Sequence, residues 1–283
     1  MTNILSISNN PGQSLRYAIS KATLEGWNPG LDDAQTFAYS DPSGFFLGSI
    51  NARPIACGSS VCYDDHFAFL GLYIVDPLYR GKGHGMQIWQ YLLDYAGDRC
   101  IGLDGVLENE YLYEKDGFKT DHISERYLIN TEALAVAPKD ERIQPITAKD
   151  INLLNAYDQL CFPANRQSFL QAWVTAPHAL SFSYKDVKGI RGYIVIRACI
   201  NGYKVGPLFA DNISYAKLLL DHALAKTSGK QVTIDVPSNH KQALDLIKTY
   251  QTTVSFACNR MYRNGKPIFD TQRVYGISTF ELG

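Results

Sequence analysis

The sequence predicts a mixed α/β fold in two similar halves, each a mostly antiparallel sheet with a central parallel pair and flanking helices. Three observations carry this expectation. Helical periodicity near the start gives way to a meander of strands. A strand, a glycine-rich turn and a helix follow one another over residues 70–97, a unit that joins parallel strands. The same order of elements returns after Pro138.

Ser14 stands as the cap of a first helix, because Leu15, Ala18, Ile19 and Ala22 recur at helical spacing and the run Gly26-Trp27-Asn28-Pro29-Gly30 stops it. A short second helix is expected from Asp32 to about Tyr39. Strands over 45–51, 54–63 and 67–75 follow, separated by Ala52-Arg53 and by Asp64-Asp65-His66. After the glycine turn, Met86, Trp89, Leu92, Leu93 and Ala96 mark the buried stripe of a helix that Gly97 ends. A strand over 100–106 must run parallel to the strand before that helix if the unit is a crossover. A short helix over 108–115 and an Asp116-Gly117 turn lead through Phe118 into a strand that ends near Arg126, Tyr127 and Leu128.

Residues 130–150 are rich in charged and turn residues and carry two prolines, which places a domain boundary at Pro138 and divides the chain into 1–138 and 139–283. Beyond it come helices over 151–160 and 168–174, a strand over 192–198, and a strand running through 203–212 into a helix over 214–225. The strand 232–236, VTIDV, matches IGLDG at 101–105. A helix with Ala243, Leu244 and Ile247 precedes FACNRMY, in which Arg260 echoes Arg126. These matches read as an internal duplication of one fold.

Composition narrows the function. With 46% hydrophobic and 19% charged residues, 283 residues suffice for two packed cores. A net charge of -1 offers no steering toward nucleic acid or anionic lipid, so neither is an expected partner. The start, MTNILSISNN, lacks the features of a signal peptide, and no apolar run is long enough to span a bilayer, so a cytoplasmic location is expected. Six cysteines stand among apolar neighbours with no Cys-x-x-Cys pair and no histidine at zinc spacing, which reads as reduced core residues and no metal site.

The chemistry concentrates in Arg80-Gly81-Lys82-Gly83-His84-Gly85-Met86. Three glycines in five positions remove the β-carbons that keep a ligand from the backbone, where a helix begins and free N–H groups favour an anion. Arg80 and Lys82 add charge. The same glycines would also serve a bare strand-to-helix turn. A P-loop would need Ser or Thr after the last Gly-Lys, and a dinucleotide fingerprint would need glycine where Met86 stands. Asp104, about twenty residues on, is the one feature that suits a ribose-binding acid.

Arg-x-x-Gly-x-Gly after a strand and Asp76-Pro77, with Leu112-Tyr113-Glu114-Lys115-x-Gly117-Phe118 one strand and half a helix later, resembles the GNAT acetyltransferase superfamily. The run from Glu25 to Gly30 and the duplicated architecture look like the bacterial YitH-type tandem GNAT proteins. The resemblance implies acetyl-CoA as co-substrate, with no metal. It places the pyrophosphate on Arg80, Gly81, Lys82, Gly83, His84, Gly85 and Met86. The pantetheine arm would lie along the free backbone of Leu72, Tyr73, Ile74 and Val75. Tyr113 would protonate the departing thiolate and complete the cofactor site.

Glu25 and Asp104 are candidate bases for the attacking amine. Trp27 and Asn28 are candidates for the acceptor pocket, and a tryptophan closing the helix turn would serve the core equally. Family members often carry an asparagine seven residues before the tyrosine, a position held here by Val106. In the second half the loop becomes Gly206-Pro207-Leu208-Phe209-Ala210-Asp211-Asn212, with no arginine and an acid where phosphate would lie, so that half should be a degenerate repeat that binds no CoA. The implied reaction is transfer to an amine of a small molecule or of a protein, by a monomer or homodimer. An acyl-CoA sensor without turnover is the alternative, and an NAD-dependent enzyme a distant third.

Overall fold

A computed structural model describes residues 4–131 and 139–283. The boundary expected at Pro138 lies outside the described residues. The first half contains β1 (Ser6–Ser8), α1 (Pro11–Leu24), α2 (Asp33–Thr36), β2 (Phe45–Ile50), β3 (Arg53–Cys62), β4 (Phe67–Val75), α3 (His84–Ala96), β5 (Cys100–Val106), α4 (Glu110–Lys115) and β6 (Lys119–Ile129). The second contains β7 (Ile143–Pro145), α5 (Ile151–Cys161), α6 (Gln167–Val174), β8 (Ala179–Asp186), β9 (Gly189–Ala198), β10 (Tyr203–Ala210), α7 (Ile213–Lys226), β11 (Val232–Pro237), α8 (Lys241–Ile247), β12 (Thr252–Arg263) and β13 (Val274–Gly276).

Two local expectations change. The first helix begins at Pro11, whose missing N–H is not needed there, and Asn10 caps it by accepting from the Gln13 N–H at 3.1 Å. Ser14 is buried inside the helix. On α3 the core stripe runs through Ile88, Trp89, Leu92, Leu93 and Ala96, while Met86 is exposed.

The strands form one continuous mixed sheet in the order β1-β2-β3-β4-β5-β12-β6-β11-β10-β9-β8-β7, with β13 on β10. Each half contributes one parallel pair, β4 with β5 and β10 with β11. The sheet is not two sheets side by side, because the halves exchange a strand. β12 of the second half pairs with β5, and β6 of the first half pairs with β11. Helix α3 packs on one face of the first half, and α7 and α8 cover the second. Helices α1, α5 and α6 share a core that joins the halves, with Phe37 and Trp173 rings 5.9 Å apart. A core spanning both halves and an exchanged strand pair make the junction rigid.

The exchange is pinned by buried charge. Asp104 on β5 faces Arg260 on β12 and accepts from its guanidinium in two bonds of 2.7 Å. Asp235 on β11 faces Arg126 on β6 with bonds of 2.7 and 2.8 Å. The repeated Asp and Arg of the sequence thus pair crosswise, each acid with the arginine of the other half. Bidentate pairs of this kind fix register as well as energy.

Candidate active site

The cleft exists because two parallel strands part company. β4 and β5 pair from Phe67 with Cys100 to Leu70 with Leu103 and no further. Beyond that point β4 stays with β3 as far as Val75, and β5 stays with β12 as far as Val106. A bulge opposite Cys57 and Ser59, with Leu72 at φ +50°, bends β4 away. Between the diverging edges lies a cavity of about 510 Å³, lined by Leu72, Tyr73, Ile74 and Val75 on one side and Leu103, Asp104 and Val106 on the other.

At its end the chain turns through Asp76, which accepts from the Leu78 N–H at 3.2 Å and from Lys21 at 2.8 Å. Gly81 and Gly83 take φ of +71° and +80°, where a β-carbon costs roughly 1–2 kcal/mol. Gly81 and Gly85 both line the cavity. A β-carbon at Gly85 would come within 2.5 Å of the Tyr73 hydroxyl. Arg80 donates to the Val75 carbonyl at 2.8 Å and pairs with Glu25. Lys82 reaches back to the Leu78 carbonyl at 2.8 Å. His84 is the first residue of α3, its ring buried beside Tyr79. Bare backbone, two cations and a helix N-terminus fit the pyrophosphate of an acyl-CoA.

Tyr113 reaches the cavity from α4, its ring lying over Gly105, where a β-carbon would sit 2.4 Å from it. Trp89 packs against that ring at 5.4 Å and is itself held by an indole bond to Asp116 of 2.7 Å. Burial pushes the Tyr113 hydroxyl up to about 12. Asn109 lies within reach of that hydroxyl, although the family position for an asparagine holds Val106.

The other candidates fall in different places. Glu25 and Trp27 line the cavity, Glu25 as the partner of Arg80. Asp104 lines it too, and each of its oxygens accepts one bond from Arg260. Burial raises its carboxyl while the Arg260 charge opposes that shift. Asn28 does not line the cavity. Its side chain donates to the Asn201 carbonyl at 2.8 Å and accepts from the Asn201 N–H at 3.0 Å, tying the loop after α1 to the second half.

Five lining residues lie later in the chain than both motifs: Arg126 from β6, Phe256 and Cys258 from β12, and Phe280 and Glu281 beyond β13. The echo of Arg126 in Arg260 was the only sign in the sequence that these strands share a site. Segment 274–283 carried no periodic signal.

The same segment occupies the corresponding fork of the second half. β10 leaves β11 after Val205 pairs with Ile234, and β13 pairs with β10 at Leu208 and Phe209. The chain's own strand therefore stands where a pantetheine arm would lie. Asp211, at the place of the phosphate loop, is held by Arg191, Arg273 and the Tyr157 hydroxyl.

Residues 13–118 match the acetyltransferase (GNAT) family, and residues 154–276 match a further acetyltransferase (GNAT) domain. Holothin acyltransferase of Pseudoalteromonas sp. (strain SANK 73390) is 33% identical over 263 residues, covering 93% of this chain and 89% of the relative. A crystal structure from Pyrococcus horikoshii, assigned as an acetyltransferase, superposes with a TM-score of 0.82 at 22% identity over 99% of this chain and 96% of the other. A tandem GNAT protein of the clavulanic acid biosynthesis pathway gives 0.61 at 13% identity, over 93% and 100%. Among the described residues no cluster of three or more His, Cys, Asp or Glu is placed to hold a metal, and no helix is long and apolar enough to cross a membrane. The chain belongs to the GNAT acyltransferase family and is a tandem member with two such domains.

Proposed function

We propose that the chain acetylates a primary amine directly from acetyl-CoA in the cleft of its first half, with Tyr113 as the acid for the leaving thiolate. The observation that carries this reading is the position of Tyr113, half-buried against Gly105 in the gap into which the free edge of β4 and the glycine loop both open. In this reading Arg80, Lys82 and the N–H groups of residues 81–86 hold the pyrophosphate, and residues 72–75 offer their backbone to the pantetheine amides. The thioester supplies an activated acyl carbonyl, and the protein supplies orientation and protons. With its pKa near 12, Tyr113 stays protonated at neutral pH. A free thiol near 8.5 lies roughly 3.5 units lower, so full transfer of the proton is uphill by about 5 kcal/mol; the hydroxyl stabilises the leaving sulfur by a donated hydrogen bond, and its proton passes over only as the phenol oxygen takes another in turn.

Acetyl-CoA at about 100 times its dissociation constant should stabilise the fold by about 2.7 kcal/mol in a thermal-shift experiment, and NADH should not. Arg80→Glu should abolish the acetyl-CoA effect. Stabilisation by NADH alone would overturn the assignment. Release of free thiol across a panel of amines then tests transfer, and the name of the Pseudoalteromonas relative makes holothin a first acceptor to include. Tyr113→Phe should slow turnover at least about tenfold with the thermal shift retained. Unchanged turnover would remove Tyr113 from the reaction, and a thermal shift without thiol release from any amine would favour the sensor reading.

A further inference from the structure

Three acidic residues line the cavity, Glu25, Asp104 and Glu281. Glu25 pairs with Arg80, and Asp104 with Arg260. Glu281 enters no ion pair among the described residues, and its carboxylate accepts only from the Thr279 hydroxyl. It is 6% exposed. The charges of Arg126, Arg197 and Lys204 act on it without a direct ion pair, so the carboxylate is held among cations while none of them occupies its oxygens.

Its position is fixed by backbone. A β-carbon on Gly71 would lie 2.1 Å from the Glu281 carbonyl oxygen, and Gly71 is the first residue of β4 past the last parallel pair, Leu70 with Leu103. Glu281 therefore sits at the fork from which the cleft opens. Around it the Ile277 N–H donates to the Asp235 carbonyl at 3.0 Å, the Tyr63 hydroxyl to the Leu282 carbonyl at 2.8 Å, and the Gly283 N–H to the Thr279 carbonyl at 3.0 Å. Phe280 stacks edge-on to Phe256 and lies 4.9 Å from the Arg126 guanidinium. Glu281 is thus held in an ordered turn of the second half.

We propose that Glu281 is the base that takes the proton from the acceptor amine, so that the degenerate half completes the catalytic site of the other. The proposal rests on the amine reading above. An ammonium ion entering the fork gives one proton to the Glu281 carboxylate, which passes it to solvent. The neutral nitrogen then bonds to the acyl carbon as the carbon–sulfur bond breaks. The sulfur takes the Tyr113 proton, and the second nitrogen proton returns to the Tyr113 oxygen through Glu281. The sum is amide, thiol and one proton released from the ammonium.

The test is Glu281→Gln, which keeps the shape and the Thr279 contact but cannot accept a proton. Thiol release is followed with the best amine of the panel at neutral pH, alongside the acetyl-CoA thermal shift. The expected result is a fall in kcat of about 10²–10³-fold with the thermal shift unchanged. Turnover within threefold of the unsubstituted chain, or a raised KM for the amine with kcat intact, overturns the proposal. If the Gln variant does not fold, Glu281→Asp carries the test. It keeps the charge but shortens its reach, and should lose about tenfold in kcat. Unchanged kcat overturns the proposal. An unsubstituted chain that releases thiol with no amine overturns the amine reading itself, and this proposal with it.

Discussion

Asp104→Ala is expected to destabilise the chain by about 3–5 kcal/mol, read as a shift of the urea midpoint at unchanged slope. The loss comes from what remains. Arg260 is 7% exposed in its side chain and gives both its parallel donors to Asp104, so the substitution strands a guanidinium inside the sheet. The Phe69 ring, 5.0 Å from that guanidinium, offers only part of what the carboxylate did. Replacing both partners, Asp104→Leu with Arg260→Met, should recover most of the loss because no uncompensated charge is left. A single-variant loss below about 1 kcal/mol would show that the crosswise pairs do not lock the exchange. Asp235 and Arg126 should behave alike, being 2% and 9% exposed in the same geometry.

Gly71→Ala is expected to cost about 1–3 kcal/mol and to reduce transfer more than a change remote from chemistry normally does. The new carbon would meet the Glu281 carbonyl oxygen at 2.1 Å and its carbon at 2.9 Å. Both are main-chain atoms, so no side-chain rotation relieves the contact, and either β4 or the 277–283 turn must move. Gly71 does not adopt a positive φ, so the effect is steric alone. Its counterpart Gly206, also the first residue past the parallel pairing, meets the Ser278 carbonyl oxygen at 2.0 Å. Gly206→Ala should therefore displace the same segment from its other end. Thermal denaturation and thiol release read both variants, and full stability with full turnover in Gly71→Ala would mean that the turn does not rest on β4.

Local pattern made much of this legible. Apolar spacing and glycine punctuation gave the strand, loop and helix around Arg80, because those elements are set by contacts close in sequence. Tyr113 could be found because its motif has a fixed distance from that loop. The exchange of β6 and β12 could not. Alternation of side chains states which face of a strand is buried, and says nothing about which neighbour it takes. Asp104 and Asp235, or Arg126 and Arg260, are individually interchangeable as letters, and only the sheet shows that each acid takes the other half's arginine. Segment 274–283 was invisible for a different reason. It has three residues of strand and then a turn, too short for any period, and its burial comes from the two forks that receive it. The bonds of Asn28 to Asn201 of the second half were equally illegible, because nothing local in the loop after α1 names so distant a partner.

The exchanged strands also set a timetable for folding. As the chain is synthesised, β5 is made more than a hundred residues before its neighbour β12, and Gly71 long before the Glu281 backbone that rests on it. Pairings so distant in sequence form slowly, because the intervening chain must be ordered before they return any free energy. Until then one edge of β5 stays bare, the kind of edge that recruits strands from other molecules. A nascent first half can thus hold its glycine loop and Tyr113 while the cleft between them still lacks a wall.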